Sequence, residues 1–247
     1  MIEDYGTYSF TVKEKIRYFL EGLLMAVILG FLFYKSIAGV IVLSPLIIWH
    51  FKLKKSELVQ KRKWKLNLEF KDGINSLAAA LSAGFSVEHA FEEAVKDLKR
   101  MYPNGAMIIR EFTYIANQIQ MNITAEKALY NFGRRSGVDD IICFAEVFST
   151  AKRTGGDLVQ IIRTTANMIG DKLEVKREIM TMLAGKKLEA NIMKYVPAGI
   201  LCFLSVSSPD ILKPLYHNLF GITIMSILLG VYIYTSRLMD KIMNIEV

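Results

Sequence analysis

The stretch LSAGFSVEHAFEEA, residues 81–94, decides the fold of this chain because it contains the end of one helix and the start of the next. Gly84 is suited to the left-handed backbone conformation that ends a helix, and the Ser86 hydroxyl is suited to cap the following helix. On both sides, apolar residues recur every three or four positions, which is typical of amphipathic helices. The stretch therefore predicts two helices joined by a tight turn.

The same arrangement recurs twice further along the chain. Asn122, a residue that tolerates the left-handed conformation, precedes a cap at Thr124. Gly155 and Gly156 precede a third cap at Asp157. We therefore predict three helix-turn-helix hairpins in an all-α cytoplasmic bundle. Their structural turns contain Gly84, Ser86, Asn122, Thr124, Gly155, Gly156 and Asp157.

Two apolar regions, at 18–51 and 191–236, indicate a membrane protein. A single helix over the first region would be much longer than a ~30 Å hydrocarbon core, so we predict two short spans joined by a turn. The second region is interrupted by SSPDILKPLYHN, residues 207–218, whose two prolines favour a loop. We predict two N-terminal and two C-terminal transmembrane helices flanking the bundle.

Basic residues give the expected orientation. Residues 52–65 contain seven Lys or Arg residues and one acid, whereas the short loops between paired spans offer only Lys35 and Lys213. The positive-inside rule therefore places both termini and the central domain in the cytoplasm. A signal peptide ending near 36–38 is the alternative for the first apolar run, but the second run follows at once, so we expect no cleavage.

These patterns divide the chain into six segments. They are a cytoplasmic N-terminal segment (1–17), two transmembrane helices (18–51), a basic cytoplasmic linker (52–69), the helical domain (70–190), two transmembrane helices (191–236) and a cytoplasmic tail (237–247). The last helix of the domain can run from Asp157 to about Asn191 without a proline and lead into the third span. It is either a mechanical link to the membrane or simply a long bundle helix.

The sequence contains no motif that indicates catalysis. It lacks a GxxxxGK[ST] phosphate loop, a GxSxG nucleophile elbow and an HExxH metal motif. Cys143 and Cys202 lie in different segments without metal-binding spacing, and the three histidines are scattered. We predict no catalytic, cofactor-binding or metal-binding residue, and no enzyme. The net charge of +7 has no recognition module beside it, so we expect no nucleic-acid partner.

Three stretches carry a family resemblance: LAAALSAGFSVEHAFEEA at 77–94, NITAEKAL at 122–129 and RTGGDL at 153–158. They resemble the type II secretion F domain, the cytoplasmic helical module of inner-membrane platform proteins in type IV pilus-like machines. One such domain between two pairs of spans looks most like the TadB and TadC proteins of tight-adherence (Flp) pilus assembly. The C-terminal SPDILKPLYHNLFG and the final IEV are more similar to the TadB branch.

The resemblance implies a non-enzymatic platform protein of the cell membrane, without a cofactor. Its implied partners are a cytoplasmic secretion-type ATPase, a paralogue or a second copy of itself, a pilin and the lipid bilayer. The ATPase-facing surface would include Arg134, Arg135, Lys152 and Arg153, unless these form only a solvated basic face.

Two other classes of protein remain as alternatives. One is a small four-helix transporter or channel component, for which the four spans and Glu21 are the support. For Glu21 itself, an ion pair with Arg17 one helical turn earlier is the competing interpretation. The other class is an enzyme with a membrane anchor, which the missing motifs disfavour.

Overall fold

The computed structural model describes residues 5–7, 10–36, 43, 45–155, 157–216 and 218–243. Gly156 and the C-terminal IEV lie outside the described residues. The part that is described contains helices and no strand, which confirms the all-α prediction. The helices are α1 (Val12–Tyr34), α2 (Pro45–Ser82), α3 (Val87–Met101), α4 (Met107–Gln120), α5 (Ala125–Ser136), α6 (Asp139–Thr154), α7 (Leu158–Ser207), α8 (Pro209–Tyr216) and α9 (Leu219–Met243).

Backbone contacts divide the chain into two compact units. Unit 1 comprises Met1–Ser9 and Ser56–Val175, and unit 2 comprises Phe10–Lys55 and Lys176–Val247. Helices α2 and α7 each contribute residues to both units. The predicted domain boundaries were drawn from hydropathy and charge, and they remain predictions.

The core of unit 1 contains Phe side chains from five helices, α2 to α6, whereas α7 contributes aliphatic side chains. Phe70 of α2 is fully buried, and its ring packs edge-on against Phe132 of α5 at 6.0 Å and Phe144 of α6 at 5.4 Å. Phe91 of α3 meets Phe112 of α4 at 5.6 Å between ring centroids. These contacts join helices that are far apart in sequence into one hydrophobic core.

The stretch 52–69, which the sequence analysis assigns to a linker, is helical throughout as part of α2. No Gly or Pro occurs between residues 46 and 72, and the Lys, Glu and Leu residues there favour helix. The buried Glu69 carboxylate accepts a hydrogen bond of 3.1 Å from the backbone N–H of Ile108. It thereby satisfies a donor at the N-terminus of α4, whose own N-cap residue, Ala106, has no side-chain oxygen.

Three helices of the described residues are long and apolar enough to cross a membrane, whereas the sequence analysis predicts four. They are Val12–Tyr34, Leu158–Ser207 and Phe220–Ile242. The missing one is the predicted second span, of which residues 37–42 and 44 lie outside the described part. The rest of this predicted span, residues 45–51, forms the start of α2 and precedes Lys52, so the described part alone is too short to count as a candidate span.

The predicted loop at 207–218 is also wrong in part, because it contains the short helix α8. Pro209 occupies the first position of this helix, where a proline is favoured because its missing N–H has no intrahelical partner to lose. The buried Tyr216 hydroxyl, at the other end of α8, donates a 2.8 Å hydrogen bond to the Leu32 carbonyl of α1. Within unit 2, Lys194 of α7 also forms an ion pair with Asp240 of α9 at 2.6 Å.

Candidate functional site

Each of the three turns contains a residue in the left-handed conformation. The φ angles are +90° at Gly84, +64° at Asn122 and +70° at Gly155. In the first two turns, the N–H of the next residue donates to the carbonyl five positions earlier, at 3.3 Å from Phe85 and 3.0 Å from Ile123. This Schellman geometry gives partners to carbonyls that the helix end leaves open.

The three cap residues differ in what their side chains do. The Ser86 hydroxyl accepts the N–H of His89 at 3.4 Å, and the Asp157 carboxylate accepts the N–H of Gln160 at 3.0 Å. Thr124 occupies the N-cap position of α5 with extended backbone, but its side chain makes no cap hydrogen bond. Two of the three turns therefore have a side-chain cap, and the second depends on backbone hydrogen bonds.

We expect Gly84→Val to lower the free energy of unfolding by about 1–3 kcal/mol, the usual cost of an unfavourable backbone conformation. A Cβ at Gly84 meets nothing within 4 Å, so the cost arises from the positive φ and not from a clash. Urea denaturation of the detergent-solubilised chain measures it. Gly84→Asn is the matched control, because Asn tolerates this conformation. If Gly84→Val abolished the function of the protein in cells and left its stability unchanged, Gly84 would have a role beyond the shape of the turn.

Side-chain contacts place all three turns at the same end of unit 1. The amide of Gln120, the last residue of α4, donates to Glu92 near the start of α3 at 2.7 Å. Lys152, near the end of α6, pairs with Glu126 near the start of α5 at 3.3 Å. The first contact joins the first turn to the second, and the other joins the second turn to the third. We call this part of unit 1 the turn end, comprising residues 83–86, 121–124, 155 and 157.

The turn end exposes two large apolar side chains between charged groups. Phe85 is 45% exposed and Met121 is 74% exposed. Nearby, the pKa of Glu88 is lowered, chiefly by a hydrogen bond from its own backbone N–H, with smaller contributions from Ser86 and Lys152. Exposed apolar side chains beside fixed charges are typical of a protein-binding surface. The sequence analysis missed both residues, although an apolar residue inside a polar turn was visible there.

The structure separates the four basic residues of the predicted partner surface. Lys152 and Arg153 lie exposed at the turn end, in the last turn of α6. Arg134 and Arg135 lie in the last turn of α5, which is the opposite end of the bundle. The four therefore do not form one patch.

Arg135 also has an internal partner. Its guanidinium makes two hydrogen bonds to the Glu111 carboxylate, at 2.7 and 3.2 Å. Glu111 is 5% exposed and lies on the buried face of α4. Arg135 therefore neutralises a buried charge, whereas its neighbour Arg134 is exposed. Sequence reasoning missed Glu111, an acid on an apolar helix face, which is the usual signal of a buried ion pair.

No group of three or more His, Cys, Asp or Glu residues suited to a metal ion occurs in the described part of the chain. Both cysteines are exposed and unpaired with each other.

Comparison with known proteins gives one match. The family model described as type II secretion system (T2SS), protein F, matches residues 74–206, more than half of the 247 residues. The matched region contains all three turns and continues to the end of α7. No curated protein and no solved structure matches the chain.

Proposed function

The chain belongs to the type II secretion system protein F family, and we propose that it is a platform protein of a type IV pilus-like assembly machine, of the TadB or TadC kind that serves tight-adherence (Flp) pili. The family supports a role in secretion or pilus assembly, and the three apolar helices support a membrane location. In this role the protein is not an enzyme. It receives motion from a cytoplasmic ATPase and helps to move pilin subunits from the bilayer into a filament.

The observation that carries this proposal is the composition of α7. This one helix contains part of the family-matched helical domain and also an apolar stretch long enough to span a membrane. No proline interrupts α7 before Pro197, which lies within the apolar stretch, so up to that point continuous backbone hydrogen bonds resist bending and displacement at the start of the helix reaches the apolar stretch. Such a helix is suited to link a soluble domain to a membrane segment.

We propose that both termini and unit 1 face the cytoplasm, on the basis of the basic residues at 52–65. The turn end is then the surface offered to the ATPase, with Phe85 and Met121 as apolar anchors and Lys152 and Arg153 as charged contacts. A paralogue or a second copy, and the pilin, are the other proposed partners.

The double variant Phe85→Ala, Met121→Ala tests the ATPase contact. We expect recovery of a co-purifying secretion-type ATPase from detergent extracts to fall about tenfold or more, because exposed anchors at a binding surface dominate its affinity. The thermal unfolding midpoint should stay close to that of the wild type, because both side chains are exposed.

The control is the double variant Met101→Ala, Tyr130→Ala, which changes side chains of similar exposure elsewhere in unit 1. It should leave ATPase recovery unchanged. Equal recovery with both double variants would remove the turn end as the contact surface. If cross-linked wild-type protein recovered no ATPase, paralogue or pilin, the platform role itself would be refuted.

The transporter alternative was supported by the predicted spans and by Glu21, and the spans are equally expected of a platform protein. Glu21 accepts a hydrogen bond of 3.0 Å from Arg17 one turn earlier on α1, so it is an ion-paired residue. We therefore do not propose this function.

A further inference from the structure

The N-terminal segment places the Tyr5 side chain in the core of unit 1. Tyr5 is 1% exposed and belongs to the hydrophobic core cluster, although the next two residues, Gly6 and Thr7, are exposed. A buried tyrosine followed by two exposed residues indicates a specific anchor, because an aromatic ring is the largest apolar group that one residue can bury.

The slot that holds Tyr5 recognises each part of the residue. The Tyr5 hydroxyl donates to Oε1 of Glu111 at 3.0 Å, and its backbone N–H donates to the Arg135 carbonyl at 3.2 Å. The Arg62 guanidinium lies over the ring, 4.8 Å from its centroid. Arg135 also lies over the Tyr114 ring, at 5.5 Å. We call the three residues that contact Tyr5, namely Arg62, Glu111 and Arg135, the tyrosine slot.

The hydroxyl contact makes the slot selective for tyrosine. A hydrogen-bond donor stabilises a buried carboxylate. A phenylalanine in the position of Tyr5 would fill the same space without supplying that donor. The cation over the ring adds attraction that an aliphatic side chain would lack. The slot therefore discriminates among the large apolar residues in favour of tyrosine.

The slot is also suited to open. When Tyr5 leaves, the Glu111 carboxylate keeps both of its hydrogen bonds to Arg135. The buried charge of Glu111 therefore keeps a partner when Tyr5 is released. Release would be costly only if it left this charge unpaired. Because Gly6 and Thr7 are exposed, release of the Tyr5 side chain is a local event and does not require unfolding of unit 1.

We propose that the tyrosine slot is a latch whose ligand is the chain's own N-terminal segment. The latch holds Tyr5 reversibly and ties the start of α1, which follows at Val12, to unit 1. Motion of unit 1 is then passed to α1 through the latched segment, in addition to the helix α7. This second part of the inference rests on the proposed function.

Hydrogen exchange of the full-length protein in detergent tests the latch itself. We expect the amide of Tyr5 to exchange about 100-fold faster in Tyr5→Ala, which removes the buried ring. Tyr5→Phe, which keeps the ring and removes one charge-assisted hydrogen bond, should show an increase of about tenfold. Tyr130→Ala, an exposed tyrosine in the same unit, should leave this amide unchanged. Exchange in the wild type as fast as in Tyr5→Ala would overturn the latch.

Filament assembly in cells tests whether the latch contributes to the proposed function. We expect Tyr5→Ala to reduce the number of filaments about tenfold at unchanged protein level, with Tyr5→Phe between it and the wild type. Normal filament assembly by Tyr5→Ala, in a variant whose residue 5 amide exchanges fast, would overturn the coupling role. If the wild-type chain supported no filaments at all, the proposed function would be refuted, whereas hydrogen exchange would still decide whether the latch exists.

Discussion

Replacement of Arg135 by alanine is expected to lower the free energy of unfolding by about 3 kcal/mol. The change leaves the Glu111 carboxylate, 5% exposed, without the guanidinium that neutralises it. Loss of one partner of a buried pair commonly costs 3–5 kcal/mol, and we expect the lower value because Tyr5 still donates to Glu111. The effect is measured by urea denaturation in a Trp49→Phe background, where the fluorescence of Trp64, which packs on the unit 1 core, reports unfolding.

Arg134→Ala is the matched control for this prediction. It removes the same chemical group from the next position, where the side chain is exposed, so a change within about 0.5 kcal/mol is expected. The triple variant Tyr5→Phe, Glu111→Leu, Arg135→Met should regain much of the loss, because an apolar cluster of similar volume needs no charge compensation and leaves no Tyr5 hydroxyl without an acceptor. Equal stability of Arg134→Ala and Arg135→Ala would contradict the importance of the buried pair.

The result also decides how the partner surface can be tested. A simultaneous charge reversal at Arg134 and Arg135 would place a second negative group, at position 135, beside the buried Glu111 carboxylate and damage unit 1 directly. Loss of ATPase recovery in such a variant would therefore say nothing about docking. Charge reversal of Arg134 alone, or of Lys152 and Arg153 at the turn end, separates binding from stability.

The turns could be read from the sequence because their causes are local. A Gly or Asn that accepts positive φ, followed by a capping oxygen, acts within four or five residues, as at Gly84 and Ser86. Local signals could not reveal that the three turns share one end of unit 1. That arrangement depends on which helices pack together, as the contact between Gln120 and Glu92 shows.

The different roles of Arg134 and Arg135 needed the structure for the same reason. Adjacent residues on a helix point about 100° apart, and only the packing of α5 on α4 determines which one meets Glu111. The contact between Tyr5 and Glu111 joins residues 106 positions apart, so no sequence window contains it. For the spans, three candidates stand against the four predicted, and part of the predicted second span, residues 37–42 and 44, lies outside the described residues.

Phe70→Ala is expected to lower the free energy of unfolding by about 3–5 kcal/mol, the usual cost of removing a fully buried phenylalanine. The ring is 0% exposed and packs edge-on against Phe132 and Phe144, so its loss weakens the contacts of α2 with both α5 and α6. The same Trp64 fluorescence measurement applies, and Phe70→Leu should give a smaller loss because much of the volume is retained.

Phe85→Ala makes the prediction for Phe70 specific, because it deletes the same atoms at a site that is 45% exposed. It should change stability by less than about 1 kcal/mol and lower ATPase recovery instead. Phe70→Ala should lower ATPase recovery only in proportion to the fraction of unfolded protein. If the two variants were equally stable, α5 and α6 would not depend on α2 for their packing, and unit 1 would not be a single core. If they differ as expected, the buried ring maintains the bundle that presents the turn end, and the exposed ring is free to bind.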